Sequence, residues 1–252
     1  MPEALNPKRV KPIIGGILSG GLSTRMGQAK DRIILPDGRP MLQHVLDVLL
    51  NVCNEVIVAG PELPLDLKEN ERVHFVKDNF GGLGPLGGIE AILSSGLARG
   101  YLIAGCDQPL LREEVLRWLI PEDRDMPCFY DSWENGVMQP LPGYYPVSWL
   151  ADIRDALRRN RRALKALIAD SDVVLKPIDA ASKICLRSIN TQDELKAYIA
   201  NPVEFASIEQ PNSKHAKDQK GRSGQDARAP GEKQKDQKPR NFGDCCDGRH
   251  NH

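Results

Sequence analysis

The residues most able to do chemistry form one short segment, 18–30, which reads LSGGLSTRMGQAK and follows an apolar run. Gly20 and Gly21 have no side chain, so the backbone can approach a ligand there and direct its N–H groups at phosphate oxygens. Arg25 and Lys30 add a fork-shaped and a compact positive charge, which suits a polyphosphate. Since the segment matches neither the Walker A nor the G-x-G-x-x-G pattern, it predicts a phosphate loop of another kind. The alternative is a strand-to-helix turn with solvated charges.

A carboxylate follows a second apolar run. Asp107 comes after the strand-like segment 101–105, so we expect its side chain at the carboxyl edge of the same sheet, near the glycine loop. Mg²⁺ is commonly held by one or two carboxylates together with substrate phosphate oxygens. Asp107 is therefore a candidate magnesium ligand, and the alternative is an aspartate that starts a turn before Pro109.

A second glycine-rich segment, 81–88, contains Pro85, and proline is favoured at the first position of a helix. Small residues at this point would let a base or a ribose lie against the backbone. Close packing of a helix on the sheet is the alternative reason for them. The segment is thus a second candidate for nucleotide binding.

Short β-branched runs alternate with helical patterns in the first 120 residues, which predicts an α/β fold with a mostly parallel sheet and helices on both faces. The predicted strands span 13–18, 55–59, 72–76 and 101–105, and the predicted helices 40–52, 85–98 and 112–120. Further along, 128–131 and 137–145 flank the polar turn 132–136 and predict a hairpin or an antiparallel excursion from the sheet. The patterns then predict helices 147–159 and 161–169 and a strand 173–177. Thr191 with Glu194 predicts a capping box at the start of a last helix, 191–199.

Charge divides the chain of 252 residues into two unlike parts. Of its 34 basic and 34 acidic residues, ten and seven lie in 206–252, which leaves 24 and 27 in residues 1–205. The second part has only Ile208 and Phe242 as sizeable apolar residues, too few to bury a core. We expect one α/β domain, residues 1–205, followed by a disordered polar tail, residues 206–252.

The composition also limits the partners and the compartment. A net charge of zero gives no reason to expect a nucleic acid or a membrane surface as partner. No apolar run approaches the roughly 18–20 residues of a membrane helix, and no signal-peptide pattern is visible, so we expect a cytoplasmic protein. Four cysteines stand singly among apolar residues and are expected to be buried and reduced, whereas Cys245 and Cys246 with the tail histidines match no standard metal site.

Four motifs, in the same order, resemble those of nucleotidyltransferases related to molybdenum cofactor guanylyltransferase, the MobA-like family. The first is Gly20-Gly21-x-x-x-Arg25-Met26-Gly27 followed by Lys30. The others are Asp78 followed by Gly84-Pro85-Leu86-Gly87-Gly88-Ile89, then Cys106-Asp107-Gln108-Pro109-Leu110, then Asn190-Thr191-x-x-Glu194-Leu195. The resemblance covers residues 13–200 and leaves out the tail.

The resemblance implies a Rossmann-like fold of the nucleotide-diphospho-sugar transferase kind and a Mg²⁺-dependent transfer of GMP from GTP to the phosphate of molybdopterin. Pyrophosphate and the guanine dinucleotide form of the molybdenum cofactor would be the products. The implied catalytic residues are Arg25, Lys30 and Asp107, with Asp107 as the metal ligand. The implied nucleotide-binding residues are Leu18, Ser19, Gly20, Gly21, Lys30, Asp78, Gly84, Pro85, Leu86 and Asp107. Gln139 and Asn190 would bind the acceptor, and an acceptor molybdoenzyme or a chaperone would be a further partner.

The chain departs from the family pattern at three places that bear on specificity. Ala29 stands before Lys30 where many relatives have an aspartate, and Asp31 follows the lysine instead. Ala59 and Ser188 replace asparagines of some relatives. These departures leave the base and the acceptor open. The alternatives are a cytidylyltransferase or sugar-phosphate nucleotidyltransferase of the same fold, and a non-catalytic nucleotide- or cofactor-binding partner.

Overall fold

The computed structural model describes residues 12–20, 30–62, 70–78, 80, 83–131, 133–134, 137–161 and 163–207. Within these ranges, no helix is long and apolar enough to cross a membrane. Gly21, Arg25 and all but the first two residues of the predicted tail lie outside them. The boundary between residues 205 and 206 therefore stays a prediction.

In the described part of the chain, the central sheet has seven strands, and six of them run parallel. They are β1 (Ile14–Leu18), β2 (Glu55–Gly60), β3 (Val73–Lys77), β4 (Gly100–Gly105), β5 (Cys128–Tyr130), β8 (Gly143–Pro146) and β9 (Val174–Lys176). Their order in the sheet is β3-β2-β1-β4-β8-β5-β9. The reversed strand is β8, which is antiparallel to β4 and β5. A separate hairpin joins β6 (Trp133–Glu134) to β7 (Val137–Met138). The predicted α/β class is confirmed.

Helices cover both faces of the sheet because the inner strands are apolar on both sides. The α-helices of the described residues are α1 (Met41–Val52), α2 (Pro85–Leu93), α3 (Glu113–Trp118), α4 (Leu150–Arg158), α5 (Leu164–Ala169), α6 (Ala180–Lys183), α7 (Gln192–Ala200) and α8 (Pro202–Ser207), and α1 to α5 pack against the sheet. Along β2, Val56 and Val58 contribute to the core shared with α1 and α3. Ile57 and Ala59 contribute to the core shared with α2, α4 and α5. This alternation follows from the two-residue period of a strand.

Several predicted elements are shorter than their patterns suggest. The predicted helix 85–98 ends at Leu93, shortly before Gly96, which has a φ of +74°. The predicted strand 137–145 is interrupted because Pro140 and Pro142 cannot donate to a ladder, and the Leu141–Pro142 bond is cis. Helix α5 begins at Leu164 and not at residue 161, and α8 was absent from the predicted elements.

A third apolar cluster attaches the last two helices to the segment that follows the glycine loop. Its buried members are Ile33, Leu35, Met41, Ile189, Leu195, Tyr198 and Phe205. The cluster holds the start of α7 beside residues 30–35. It thereby brings Asn190 next to Lys30, although 160 positions separate them in the sequence.

We expect Thr191→Ala to lower the free energy of unfolding by about 1 kcal/mol, because it removes the cap of α7. Thr191 Oγ1 accepts a hydrogen bond from the Glu194 amide at 3.1 Å, as the capping-box prediction requires. Thr191→Ser keeps the hydroxyl and is the matched control. Urea denaturation measures both variants, and equal stability of the two would disprove the contribution of the cap.

Candidate active site

Residues from three adjacent strands meet at the carboxyl edge of the sheet. β1 and β4 are parallel, with Leu18 opposite Gly105, so Ser19 and Asp107 leave the sheet close to each other. β8 runs the other way and begins at this edge, which also places residues 139–142 there. Ligand sites of open parallel sheets lie at this edge.

Lys30 bridges Asp107, in the loop after β4, and Asn190, in the segment before α7. Lys30 Nζ lies 2.8 Å from Asp107 Oδ2 and 2.8 Å from Asn190 Oδ1. The side chains of Lys30 and Asp107 are each 21% exposed, so both can still reach a ligand from solvent. We call Lys30, Asp107 and Asn190 the Lys30 cluster. The structure thus brings together three residues that the motifs predicted for one site.

The residue after the lysine anchors it to the first strand. Asp31 is only 5% exposed, and its Oδ2 accepts a hydrogen bond from Ser19 Oγ at 2.9 Å. This bond ties residue 31 to the end of β1. The motifs predict no role for Asp31; its one signal in the sequence is its place directly after Lys30, where relatives have the aspartate directly before the lysine.

Asn190 is held by its backbone. Its amide and that of Thr191 donate to Glu194 Oε2, at 2.6 and 3.0 Å. The preceding amide, of Ile189, donates to the Asp107 carbonyl at 2.8 Å. The side chains of the Lys30 cluster therefore extend from segments that are hydrogen-bonded to one another.

Gln108, next to the candidate metal ligand, is 1% exposed. Its Oε1 accepts a hydrogen bond from the Gly105 amide at 3.2 Å. Its Nε2 donates to the carbonyl oxygens of Leu141 at 3.1 Å and Leu186 at 2.9 Å. The motif marks this position as variable, so the motifs predict no role for Gln108.

Asp78 has local partners at the start of α2. Its Oδ1 accepts a hydrogen bond from the Phe80 amide at 2.8 Å. A Cβ at Gly87 would lie 2.4 Å from the same oxygen, so the carboxylate occupies the space that this glycine leaves. These contacts hold Asp78, directly after β3, beside Phe80 and the first turn of α2. The predicted contact of Asp78 with the nucleotide stays a prediction.

The other residues predicted to bind nucleotide differ in what they can offer. Gly84, with a φ of +76°, and Pro85 are exposed, whereas the Leu86 side chain is fully buried and has only its backbone available. The Ser19 amide donates to the Ala59 carbonyl at 2.7 Å and is therefore used within the sheet. Leu18 is half-buried and Gly20 is exposed. Of the predicted acceptor residues, Gln139 is half-buried in the segment before β8.

Comparison with known proteins assigns the chain to a family. Residues 15–174, more than half of the chain, match the family described as the MobA-like NTP transferase domain. This chain belongs to the MobA-like family. It is accordingly a nucleotidyltransferase.

Two relatives agree with that assignment, and a solved structure agrees with the fold. A Halalkalibacterium halodurans protein named "Probable molybdenum cofactor guanylyltransferase" is 34% identical over 154 residues, which are 59% of this chain and 77% of that protein. A Rhodopirellula baltica protein of the same name is 31% identical over 206 residues, 77% of this chain and 93% of the relative. The crystal structure of molybdopterin-guanine dinucleotide biosynthesis protein A from Archaeoglobus fulgidus superposes with a TM-score of 0.63 at 22% identity, over 76% of this chain and all of that one.

In the MobA-like site, Cys106 stands directly before Asp107, but its thiol does not serve as a nucleophile. Cys106 is buried, and burial raises the pKa of its thiol well above the usual range. The carboxylates of Asp107 and Asp31 raise the pKa further, and they outweigh the opposing effect of Lys30. The thiol therefore stays neutral at physiological pH, and a neutral thiol is a poor nucleophile.

The donor atoms of the Lys30 cluster fit a magnesium ion that is shared with substrate phosphates. In the ranges that the structure describes, no group of three or more His, Cys, Asp or Glu side chains could hold a metal. Mg²⁺ needs only one or two carboxylates when phosphate oxygens and waters complete its shell. The Asp107 carboxylate and the Asn190 amide oxygen converge on one point, and the Lys30 ammonium shows that this point favours a cation.

We expect Gly20→Ala to lower the free energy of unfolding by about 1–3 kcal/mol and to weaken nucleotide binding. Gly20 has a φ of +102°, and a Cβ there would lie 2.8 Å from Pro61 Cδ. Gly38→Ala is the control, because Gly38 has a φ of +82° with nothing within 4 Å of the added atom. Thermal unfolding and GTP titration of both variants measure the difference. Equal effects would show that the clash with Pro61 costs nothing.

Proposed function

We propose that this MobA-like enzyme transfers GMP from GTP to the phosphate of molybdopterin. The products are the guanine dinucleotide form of the cofactor and pyrophosphate. The observation that carries the proposal is the Lys30 cluster, which places a cation, a carboxylate and an amide oxygen within hydrogen-bond distance at the ligand-binding edge of the sheet. The names of the relatives from Halalkalibacterium and Rhodopirellula support guanine as the base and the molybdenum cofactor as the acceptor.

The reaction requires that the two substrates are aligned and that the charge on their phosphate oxygens is neutralised. An oxygen of the acceptor phosphate attacks the α-phosphorus of GTP, the bond from this phosphorus to the bridging oxygen breaks, and pyrophosphate leaves with the electron pair. Catalysis of such transfers comes from positioning and from stabilising charge on phosphate oxygens. The neutral Cys106 thiol is compatible with direct transfer, which needs no nucleophilic side chain.

Each member of the Lys30 cluster has a role in this step. The Lys30 ammonium leaves its contact with Asp107 Oδ2 and pairs with phosphate oxygens of GTP. Asp107 would hold Mg²⁺, which supplies charge neutralisation on the phosphates when it is bound. Asn190 orients the acceptor phosphate through its amide. Arg25, which lies outside the described residues, is proposed as the second phosphate-binding cation.

We further propose that the enzyme works in the cytoplasm. Cys53, Cys106, Cys128 and Cys185 are buried and free, which fits a reducing compartment. GTP and molybdopterin would be its small-molecule partners. A molybdoenzyme or a chaperone that receives the finished cofactor would be its protein partner.

The proposal is tested by incubating the full chain with Mg²⁺, molybdenum cofactor and each of the four NTPs in turn. We expect pyrophosphate and a dinucleotide product with GTP and at most traces with CTP, ATP and UTP. Turnover with CTP alone would instead make it a cytidylyltransferase. If only a sugar phosphate served as acceptor, or if no pair gave turnover, the molybdopterin acceptor or the catalytic role would be wrong.

A further inference from the structure

We infer that Gln108 is a positioning residue, which sets the distance between Asp107 and the segments that hold the acceptor. The inference rests on the proposed function above. It concerns a side chain that touches neither substrate and acts through the backbone on either side of the reacting phosphates.

Gln108 has a fixed orientation in the protein interior. At 1% exposure it has almost no contact with solvent, and its three hydrogen bonds are to backbone groups of three different segments. The Gly105 amide can only donate, so it must meet Oε1. The carbonyls of Leu141 and Leu186 can only accept, so they must meet Nε2. The amide therefore cannot rotate by half a turn without losing all three bonds.

The three partners belong to the loop that carries Asp107 and to the two segments that carry the predicted acceptor residues. Gly105 ends β4 directly before Cys106 and Asp107. Leu141 precedes β8, which lies on the side of β4 opposite to β1. Leu186 begins the short segment that leads to Asn190.

This arrangement places the second substrate. Attacking and leaving oxygens stand roughly in line in a phosphoryl-type transfer. With the triphosphate on Lys30, the acceptor would bind at Gln139 and Asn190, the two residues predicted for it. Gln108 bonds to the segments that carry these two residues, and the Ile189 amide adds a bond to the Asp107 carbonyl at 2.8 Å. The acceptor side is thus fixed to the Asp107 loop through one amide side chain.

Two substitutions remove different subsets of the three hydrogen bonds of Gln108. Gln108→Met keeps the length of the side chain and removes all three bonds. Gln108→Glu keeps the length of the side chain and the acceptor for Gly105, and it removes the amide N–H₂ group that meets the Leu141 and Leu186 carbonyls.

Steady-state kinetics with the full chain give the first readout. We expect Gln108→Met to raise the KM for the acceptor by about tenfold or more and to leave the KM for GTP within about twofold. We expect Gln108→Glu, which keeps the bond from the Gly105 amide, to raise the acceptor KM as well and to leave the KM for GTP within about twofold. Equal rises in both KM values would reject the inference, as would an unchanged acceptor KM in both variants.

Hydrogen exchange of the substrate-free protein gives a second readout that does not depend on turnover. In Gln108→Met, the amides of 143–146 and 187–191 should exchange faster, while those of α1 and α2 should not change. Unchanged exchange at 187–191 would contradict the inference even if activity fell. If the unsubstituted enzyme transferred no GMP, the proposed function would fail and exchange would still decide whether Gln108 positions these segments. Should the Met variant not fold, the Glu variant provides the same comparison.

Discussion

Asp107→Asn is expected to lower kcat about a thousandfold, in line with the loss of one preorganised electrostatic contact in other active sites. The substitution keeps the size of the side chain and removes the charge that faces Lys30 at 2.8 Å and that would hold the metal. Folding should be little affected. The ion pair is partly exposed, so we expect a change in the free energy of unfolding of about 1 kcal/mol or less.

The matched control is Asp155→Asn, because Asp155 is also paired with a cation, Arg159, at 3.0 Å, but on the exposed surface of α4. Pyrophosphate release under saturating GTP and acceptor, with thermal unfolding alongside, measures both variants. The control should keep the activity of the unsubstituted enzyme. If the kcat of Asp107→Asn stayed within about tenfold of the control, the loss would be smaller than such a contact is expected to cause. That result would show that Asp107 has no catalytic role.

Lys30→Met is expected to lower kcat/KM for GTP about a hundredfold, the value of one charge-assisted hydrogen bond at the upper end of its usual range. A second effect distinguishes it from a general loss of structure. Without the ammonium, Asp107 Oδ2 and Asn190 Oδ1 face each other with no cation between them. The nucleotide-free variant should therefore bind Mn²⁺ more tightly than the unsubstituted protein, because the lysine no longer competes for the carboxylate.

Lys196→Met serves as the control for this substitution, since Lys196 pairs with Asp193 at 3.5 Å on an exposed turn of α7. Electron paramagnetic resonance of free Mn²⁺ follows binding without any need for turnover. Weaker Mn²⁺ binding by Lys30→Met would show that the lysine does not compete with a cation. An unchanged kcat/KM for GTP would show that it does not contact the triphosphate.

The general architecture follows from the sequence because apolar runs and helical spacing record burial directly. Tyr101–Gly105 was predicted as a strand and lies in the middle of the sheet as β4, buried throughout. Thr191 and Glu194 form the predicted capping box, since both bonds connect residues three positions apart. Where local signals compete, the prediction is less accurate. The helical pattern over 85–98 continues beyond Leu93, although the chain there turns at Gly96.

In the candidate site too, residues within short motifs are predicted from the sequence, whereas contacts between distant segments are not. The motifs predict Lys30, Asp107 and Asn190, and the fold brings them into contact across 77 and 160 positions of sequence. The residues that hold this cluster in place were not predicted. Asp31 acts through Ser19 and Gln108 through three backbone groups, and the identity of such partners depends on the tertiary structure. No spacing rule along the chain predicts which residues these partners are.

The most direct measurement of the central claim follows the α-phosphate of GTP. The full chain is incubated with Mg²⁺, molybdenum cofactor and GTP labelled at its α-phosphorus, next to Asp107→Asn under the same conditions. We predict that the label appears in the guanine dinucleotide in a one-to-one ratio with unlabelled pyrophosphate, and that the variant forms almost none. Label that remains in GTP, or that is released as GMP without joining the cofactor, would contradict the assignment of this chain as a guanylyltransferase.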